Sequence, residues 1–231
     1  MRPPHPRPHL AVLAVVPLLL LAACSEAEAP EASPQERLAT AKTVFDQTSG
    51  VRLTLGTDKL PPEVNGLLNA TGVATHDPAF DGAIQVASSG LTADVDVVAV
   101  NGDVHAKLPF TSEFAIVDPA DYGAPDPAAL MSAEDGLSSL LTSVEDLATG
   151  EQVRAGSEVL STFTGTLSGQ VVASIIPSAS PQGTFDATFT VDDTDQVDRM
   201  ILTGPFSPDG GEVTYTVDID AYDVKRDITA P

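Results

Sequence analysis

Residues 91–108 read LTADVDVVAVNGDVHAKL, and this stretch decides the fold class. Leu91, Ala93, Val95 and Val97 alternate with Thr92, Asp94 and Asp96. That period of two marks a strand with one apolar and one wet face. Asn101-Gly102 follows, a pair that favours a type I′ hairpin turn because both residues tolerate positive φ. Val104, Ala106 and Leu108 then resume the alternation. The stretch predicts two antiparallel strands whose apolar faces lie on one side.

The same period recurs on both sides. Upstream it places Val51, Leu53 and Leu55 on one face, and Ile84 with Val86 on another strand. Downstream it runs through Val159, Phe163 and Leu167, then Phe185/Ala187/Phe189/Val191, Val197/Ile201 and Val213/Tyr215/Val217/Ile219. Asp209-Gly210-Gly211 reads as the last turn and Asp192–Asp195 as an acidic hairpin turn.

Helical signals are fewer. Ser33-Pro34-Gln35-Glu36 is a capping box with proline at the first helical position. Leu38, Ala41, Val44 and Phe45 follow at helical spacing, predicting a helix over 33–49 that stops at Gly50. Asp126-Pro127 opens a short helix through Met131, and Ser132–Asp135 can cap another bearing Leu137, Leu140, Leu141 and Val144. Ser168 caps a short helix carrying Val171, Val172, Ile175 and Ile176, ended by Pro177. Together these elements predict one α+β domain, a curved antiparallel sheet with its helices gathered on one face.

The N-terminus has its own logic. Arg2 and Arg7 precede the uncharged run Leu10–Ala23, which as a helix would span roughly 21 Å, short of the ~30 Å hydrocarbon core. Residues 1–23 therefore read as a signal peptide. Leu21-Ala22-Ala23-Cys24 matches a bacterial lipobox, and Cys24 is the sole cysteine of the 231-residue chain. Its thiol would accept a diacylglycerol and anchor the protein on the extracytoplasmic side of the cell membrane. Residues 24–32, rich in Glu, Ala and Pro, read as an acylated tether, and 33–231 as the folded domain. Loss of the first 23 residues leaves nine basic against 33 acidic residues. Such a surface repels nucleic acid and anionic headgroups alike.

Catalytic and metal signatures are missing. His76 and His105 stand apart, and neither HExxH nor CxxC occurs. Gly165-Thr-Leu-Ser168-Gly169 misses the nucleophile-elbow spacing by one position. Asp192–Asp195 lacks the glycine and distal glutamate of a calcium loop. The expectation is a protein that is not an enzyme and uses no cofactor or metal. The apolar rows themselves fit either an ordinary core or a ligand cavity.

The order of pieces resembles a known family. A lipobox, an N-terminal helix and a strand meander are followed by DPADYGAPDPAALMSAEDGLSSLLTSVEDL (118–147) and later by GTLSGQVVASIIPSA (165–179). This series is similar to the LppX/LprA/LprF/LprG lipoproteins of actinobacteria over roughly residues 24–225. The resemblance implies a strongly bent half-barrel, similar to the LolA/LolB carriers, with helices on its concave face and an apolar cavity between. It implies a lipoprotein that holds acylated lipids or glycolipids and carries or presents them in the envelope, with an envelope lipid transporter as a partner. The residues expected to line the cavity are Leu53, Leu55, Ile84, Val86, Val95, Val97, Val104, Leu108, Leu137, Leu141, Phe163, Phe185 and Phe189. Two rival readings stay open: a solid-cored surface lipoprotein without ligand, and an envelope hydrolase with an unrecognised motif.

Overall fold

The hairpin forms as its sequence dictates. Leu91–Val100 and Asp103–Lys107 pair antiparallel, with Val97 opposite Ala106 and Ala99 opposite Val104. Asn101 (φ 58) and Gly102 (φ 83) both take the positive φ that a type I′ turn requires. The computed structural model describes residues 32–231 apart from 62–63, 89, 157 and 208–210. The signal peptide, Cys24, most of the tether, and the Asp209-Gly210 part of the last turn lie outside the described residues.

In chain order the elements are α1 (Pro34–Gln47), β1 (Gly50–Gly56), β2 (Gly66–Thr75), β3 (Ala79–Ser88), β4 (Leu91–Val100), β5 (Asp103–Lys107) and β6 (Ala115–Val117). After three short 3-10 turns follow β7 (Glu145–Thr149), β8 (Val153–Ala155), β9 (Glu158–Ser168), α2 (Gly169–Ile175), β10 (Thr184–Val191), β11 (Val197–Gly204) and β12 (Val213–Ala221). The strands form one curved, open antiparallel sheet in the order β6-β5-β4-β3-β2-β1-β12-β11-β10-β9-β7, with β8 against β9. Two meanders are thus joined where the first strand pairs with the last.

Register separates the two faces. Concave rows run Leu53–Gly72–Gly82–Val97–Ala106 and Leu55–Val217–Met200–Phe189–Phe163. The convex face is polar: Asn69 donates to Gln85 and Gln85 to Asp94, Arg199 pairs with Asp218, and Thr54 donates to Asp220. The C-terminal residues strap this side, through Val224 N–H to Gly50 O (3.0 Å) and Arg226 to Asp81 (2.5 Å).

Helix α1 begins as predicted. Ser33 Oγ accepts from Glu36 N–H while the Glu36 carboxylate accepts from Ser33 N–H at 2.8 Å. That backbone donor holds the Glu36 carboxyl below its ordinary range. Its contribution to the cap is therefore present above the usual carboxylate pKa and is lost as pH falls through the lowered folded value. Arg37, one turn in, donates to Asp195 (2.5 Å) and to Asp192 O (2.9 Å), clamping the β10–β11 turn. Within that turn Asp192 accepts from the Thr194 and Gln196 amides, the acidic hairpin turn that the sequence suggested.

Three expectations need correction. The helix expected to carry Leu137, Leu140, Leu141 and Val144 is a 3-10 turn over Leu137–Thr142. The α-helix cannot run on because Glu145 already pairs with Thr166 in β9. The Asp126–Met131 helix shrinks likewise to a 3-10 turn at Ala129–Met131. Leu108, expected inside, is 40% exposed because the chain turns out of the sheet at Leu108–Thr111.

On the concave face Gly72 and Gly82 sit opposite one another beneath the Phe80 ring. A Cβ on Gly82 would lie 2.3 Å from Thr71 O and 2.7 Å from that ring. Gly82→Ala should therefore lower stability by about 1–3 kcal/mol, seen as a reduced Tm. Gly56→Ala, where the nearest atom would be Leu68 O at 3.9 Å, should melt close to wild type.

Candidate functional site

The concave face gathers the apolar residues that strand alternation had sorted. Leu53, Val95, Val97, Val104, Leu137, Leu141, Phe163, Phe185 and Phe189 join one buried cluster. Leu55, Ile84 and Val86 pack against its edge and stay half-buried. Leu108 lies outside it. Helix α1 adds Leu38, Ala41 and Phe45; α2 adds Val172 and Ile175; the 3-10 turns add Met131 and Leu140. None of these seven was among the expected lining residues. The helical periodicity of Leu38, Ala41, Phe45 and Leu140 was the signal that could have placed them there.

Burial along the sheet is graded. At one end α1 lies across the strand termini, with Phe45 edge-on to Tyr222 and His76. Toward the other end the inward side chains of β1–β3 lose cover, and Leu55, Leu67, Ile84 and Val86 are only half-buried. Across β12 an aromatic chain, Phe185–Phe206–Tyr215, stacks edge to face at 4.9 and 4.8 Å. The Tyr215 hydroxyl donates to Leu67 O at 2.9 Å, and burial pushes its pKa up to about 12. At physiological pH it is a neutral donor. This end is the open end of the concave face.

Residues 118–143 cross the concave face without joining the sheet. Among the described residues their backbone hydrogen bonds are all local. Polar ties to the rest of the chain pass through a single knot on α1. Lys42 Nζ donates to Asp46 (2.6 Å), Ala133 O (2.5 Å) and Ser138 Oγ (3.3 Å), and Ser138 Oγ donates to Asp46 (2.5 Å). Buried Met131, Leu137, Leu140 and Leu141 add apolar contact to the core.

Two surface clefts lie elsewhere. One, about 590 Å³, sits on the convex face among Arg52, Thr71, Asp81, Asp96, Phe114 and Arg226. The other, about 380 Å³, lies among Thr57, Asp58, Lys59, Pro61, Glu212 and Thr214. Neither is lined by the thirteen expected cavity residues. Among the described residues no group of three or more His, Cys, Asp and Glu side chains is placed to hold a metal ion. The interior is a buried apolar cluster with a thinly covered end.

The sequence pattern of the LppX_LprAFG lipoprotein family matches residues 33–229. The chain belongs to this family. Two solved structures share its fold: LprF from Mycobacterium bovis, and the lipoprotein LppX from Mycobacterium tuberculosis. LprF is 15% identical with a TM-score of 0.70, over 86% of this chain and 96% of that one. LppX is 14% identical with a TM-score of 0.62, over 85% and 98%. A comparison with curated proteins gave no match. In this LppX/LprF-type lipoprotein the Asp126–Leu141 stretch, on which the resemblance leaned, is the segment that crosses the concave face.

The burial gradient predicts unequal costs. Phe189→Ala, at the fully buried centre, should cost about 3–5 kcal/mol. Val86→Ser, at the half-buried end, should cost only about 1 kcal/mol. Urea unfolding midpoints, compared at unchanged slope, check both values.

Proposed function

We propose that this lipoprotein is anchored through an acylated Cys24, is not an enzyme, and binds acylated lipids or glycolipids on its concave face to carry or present them in the envelope. The observation that supports the reading best is the apolar gradient: a predominantly apolar interior that thins to half-buried Leu55, Leu67, Ile84 and Val86 at one end. Extracting a lipid chain into water costs about 0.8 kcal/mol per CH₂. Transfer from a bilayer into such an interior is close to balanced. Room for the chains comes from displacing the 118–143 segment, whose Met131, Leu137, Leu140 and Leu141 occupy the interior and whose backbone makes no hydrogen bond to the sheet among the described residues. Lipid then replaces those side chains like for like.

The near-complete burial of residues expected to line a cavity, among them Phe163, Phe185 and Phe189, favours a second reading, a solid-cored surface lipoprotein that holds no ligand. Native mass spectrometry separates the two, using protein that carries Cys24→Ala behind a cleavable signal sequence. Co-purified lipid of discrete mass is the expected result. A clean protein mass, unchanged after incubation with lipid vesicles, would leave the solid-core reading standing.

The anchor has its own test. Metabolic labelling with a fatty-acid probe should mark the wild type and fail on Cys24→Ala. Persistent label on the variant would show that the lipobox reading is wrong.

A further inference from the structure

The crossing segment has a distinctive place in the topology. β6 stands at one edge of the open sheet and β7 at the other, so the residues between them form a belt from edge to edge across the concave face. Both ends of the belt are fixed by strand pairing, β6 to β5 and β7 to β9. Between those ends it sinks Met131, Leu137, Leu140 and Leu141 into the core. Among the described residues its backbone N–H groups make no hydrogen bond outside the belt.

The polar knot on α1 is closed on itself. An ammonium has three donors, and Lys42 directs one each to Asp46, Ala133 O and Ser138 Oγ. Ser138 Oγ accepts from Lys42 and donates to Asp46 Oδ1, so both oxygens of the carboxylate are engaged. Ser138 is fully buried, and the Lys42 and Asp46 side chains are only 21% and 20% exposed. Helix α1 is gripped separately, by Arg37 on the β10–β11 turn. The belt is thus tied at Ala133 and Ser138 to a post that is held independently of it.

Two kinds of force keep the belt down, and lipid acts on them differently. Apolar contact has no direction, so hydrocarbon chains entering the core offset what Met131 and the three leucines lose on leaving. Charge-assisted hydrogen bonds are directional, and a hydrocarbon chain cannot replace them. The knot therefore sets the balance between a closed belt and a lipid-filled interior.

We infer that the Lys42–Asp46–Ser138 knot is a latch, which holds the belt shut over the core and whose release lets the belt lift and admit acyl chains. This rests on the lipid-binding reading. The three residues control loading without touching the ligand.

Hydrogen exchange and native mass spectrometry test the latch on the full chain carrying Cys24→Ala, equilibrated with phosphatidylcholine vesicles. Ser138→Ala removes both bonds of the hydroxyl, and Lys42→Met removes the ammonium while keeping its apolar stem. In each variant the amides of 129–143 should exchange about tenfold faster. Those of β4 and β10 should keep wild-type protection, which shows that the fold is intact. The ratio of lipid-loaded to empty protein should rise about tenfold as well, because a weakened closed state shifts the population toward the open one. Ser139→Ala, whose hydroxyl donates to Gly136 O (2.7 Å) within its own turn, should match wild type in both measurements. Unchanged exchange in Ser138→Ala and Lys42→Met overturns the latch. So does faster exchange that spreads to β4 and β10, because the knot then supports the whole fold, or an equal effect of Ser139→Ala. A belt that opens while the loaded fraction stays constant, in protein that does hold lipid, overturns the latch and leaves the lipid-binding reading standing. A belt that opens in protein that never holds lipid overturns that reading and the latch with it.

Discussion

Pairing of the first strand with the last is the constraint on which the rest of this architecture depends. β1 lies between β2 and β12, with Leu53 opposite Ile219 and Leu55 opposite Val217. Without that seam the chain would form two separate meanders, and no concave face could run from Val97 to Phe163. The seam joins residues over 160 positions apart, so its closure entropy is met late and by many contacts at once. Several lie at one end of the seam. Tyr222 OH accepts from Val197 N–H and donates to Val197 O, Val224 N–H donates to Gly50 O, and Asp223 N–H donates to Thr48 Oγ1. Gly50 has no space for a side chain there, because a Cβ would fall 2.7 Å from both Ala74 O and Val224 O.

Much of the sheet was legible because one face is wet. Wherever large apolar residues alternate with Asp or Thr, as in 91–97 or 185–191, the strand could be read directly. β2 escaped because its inward positions are Ala70, Gly72 and Ala74, and a bulge between Leu67 and Asn69 breaks the period. At Gly72 the Phe80 ring fills the space a side chain would need, with a Cβ falling 2.6 Å from it, so packing itself erased the signal. β7 was missed for the opposite reason. It is a short, mostly exposed edge strand, EDLAT, whose one large apolar residue, Leu147, is too few to alternate.

The middle segment shows where periodicity misleads. Leu137, Leu140 and Leu141 are all buried, so their spacing reported the face correctly. A spacing of three and four is equally met by a single 3-10 turn, and Glu145 was committed to the sheet. Conversely, alternation placed Leu108 inward, and Pro109 overrode it. Period fixes which side chains share a face only as far as the backbone keeps its conformation.

Interior chemistry also limits how a lipid could be chosen. The buried polar residues described here are Thr48, Thr75, Ser138, Thr162 and Thr190, and hydroxyls of this kind provide no formal charge to orient a headgroup. An apolar interior distinguishes chains by volume and by little else, since each methylene contributes similarly wherever it packs. Discrimination between headgroups needs fixed polar groups whose partners would be left unpaired by the wrong ligand. In this fold such groups stand at the open end, where Thr57, Lys59, Glu212 and Thr214 surround a polar cleft beyond β1 and β12. A carrier built on this plan would measure the chains inside and the headgroup at the rim. Substitutions in the core would then alter how much lipid is held, and substitutions at the rim which lipid it is.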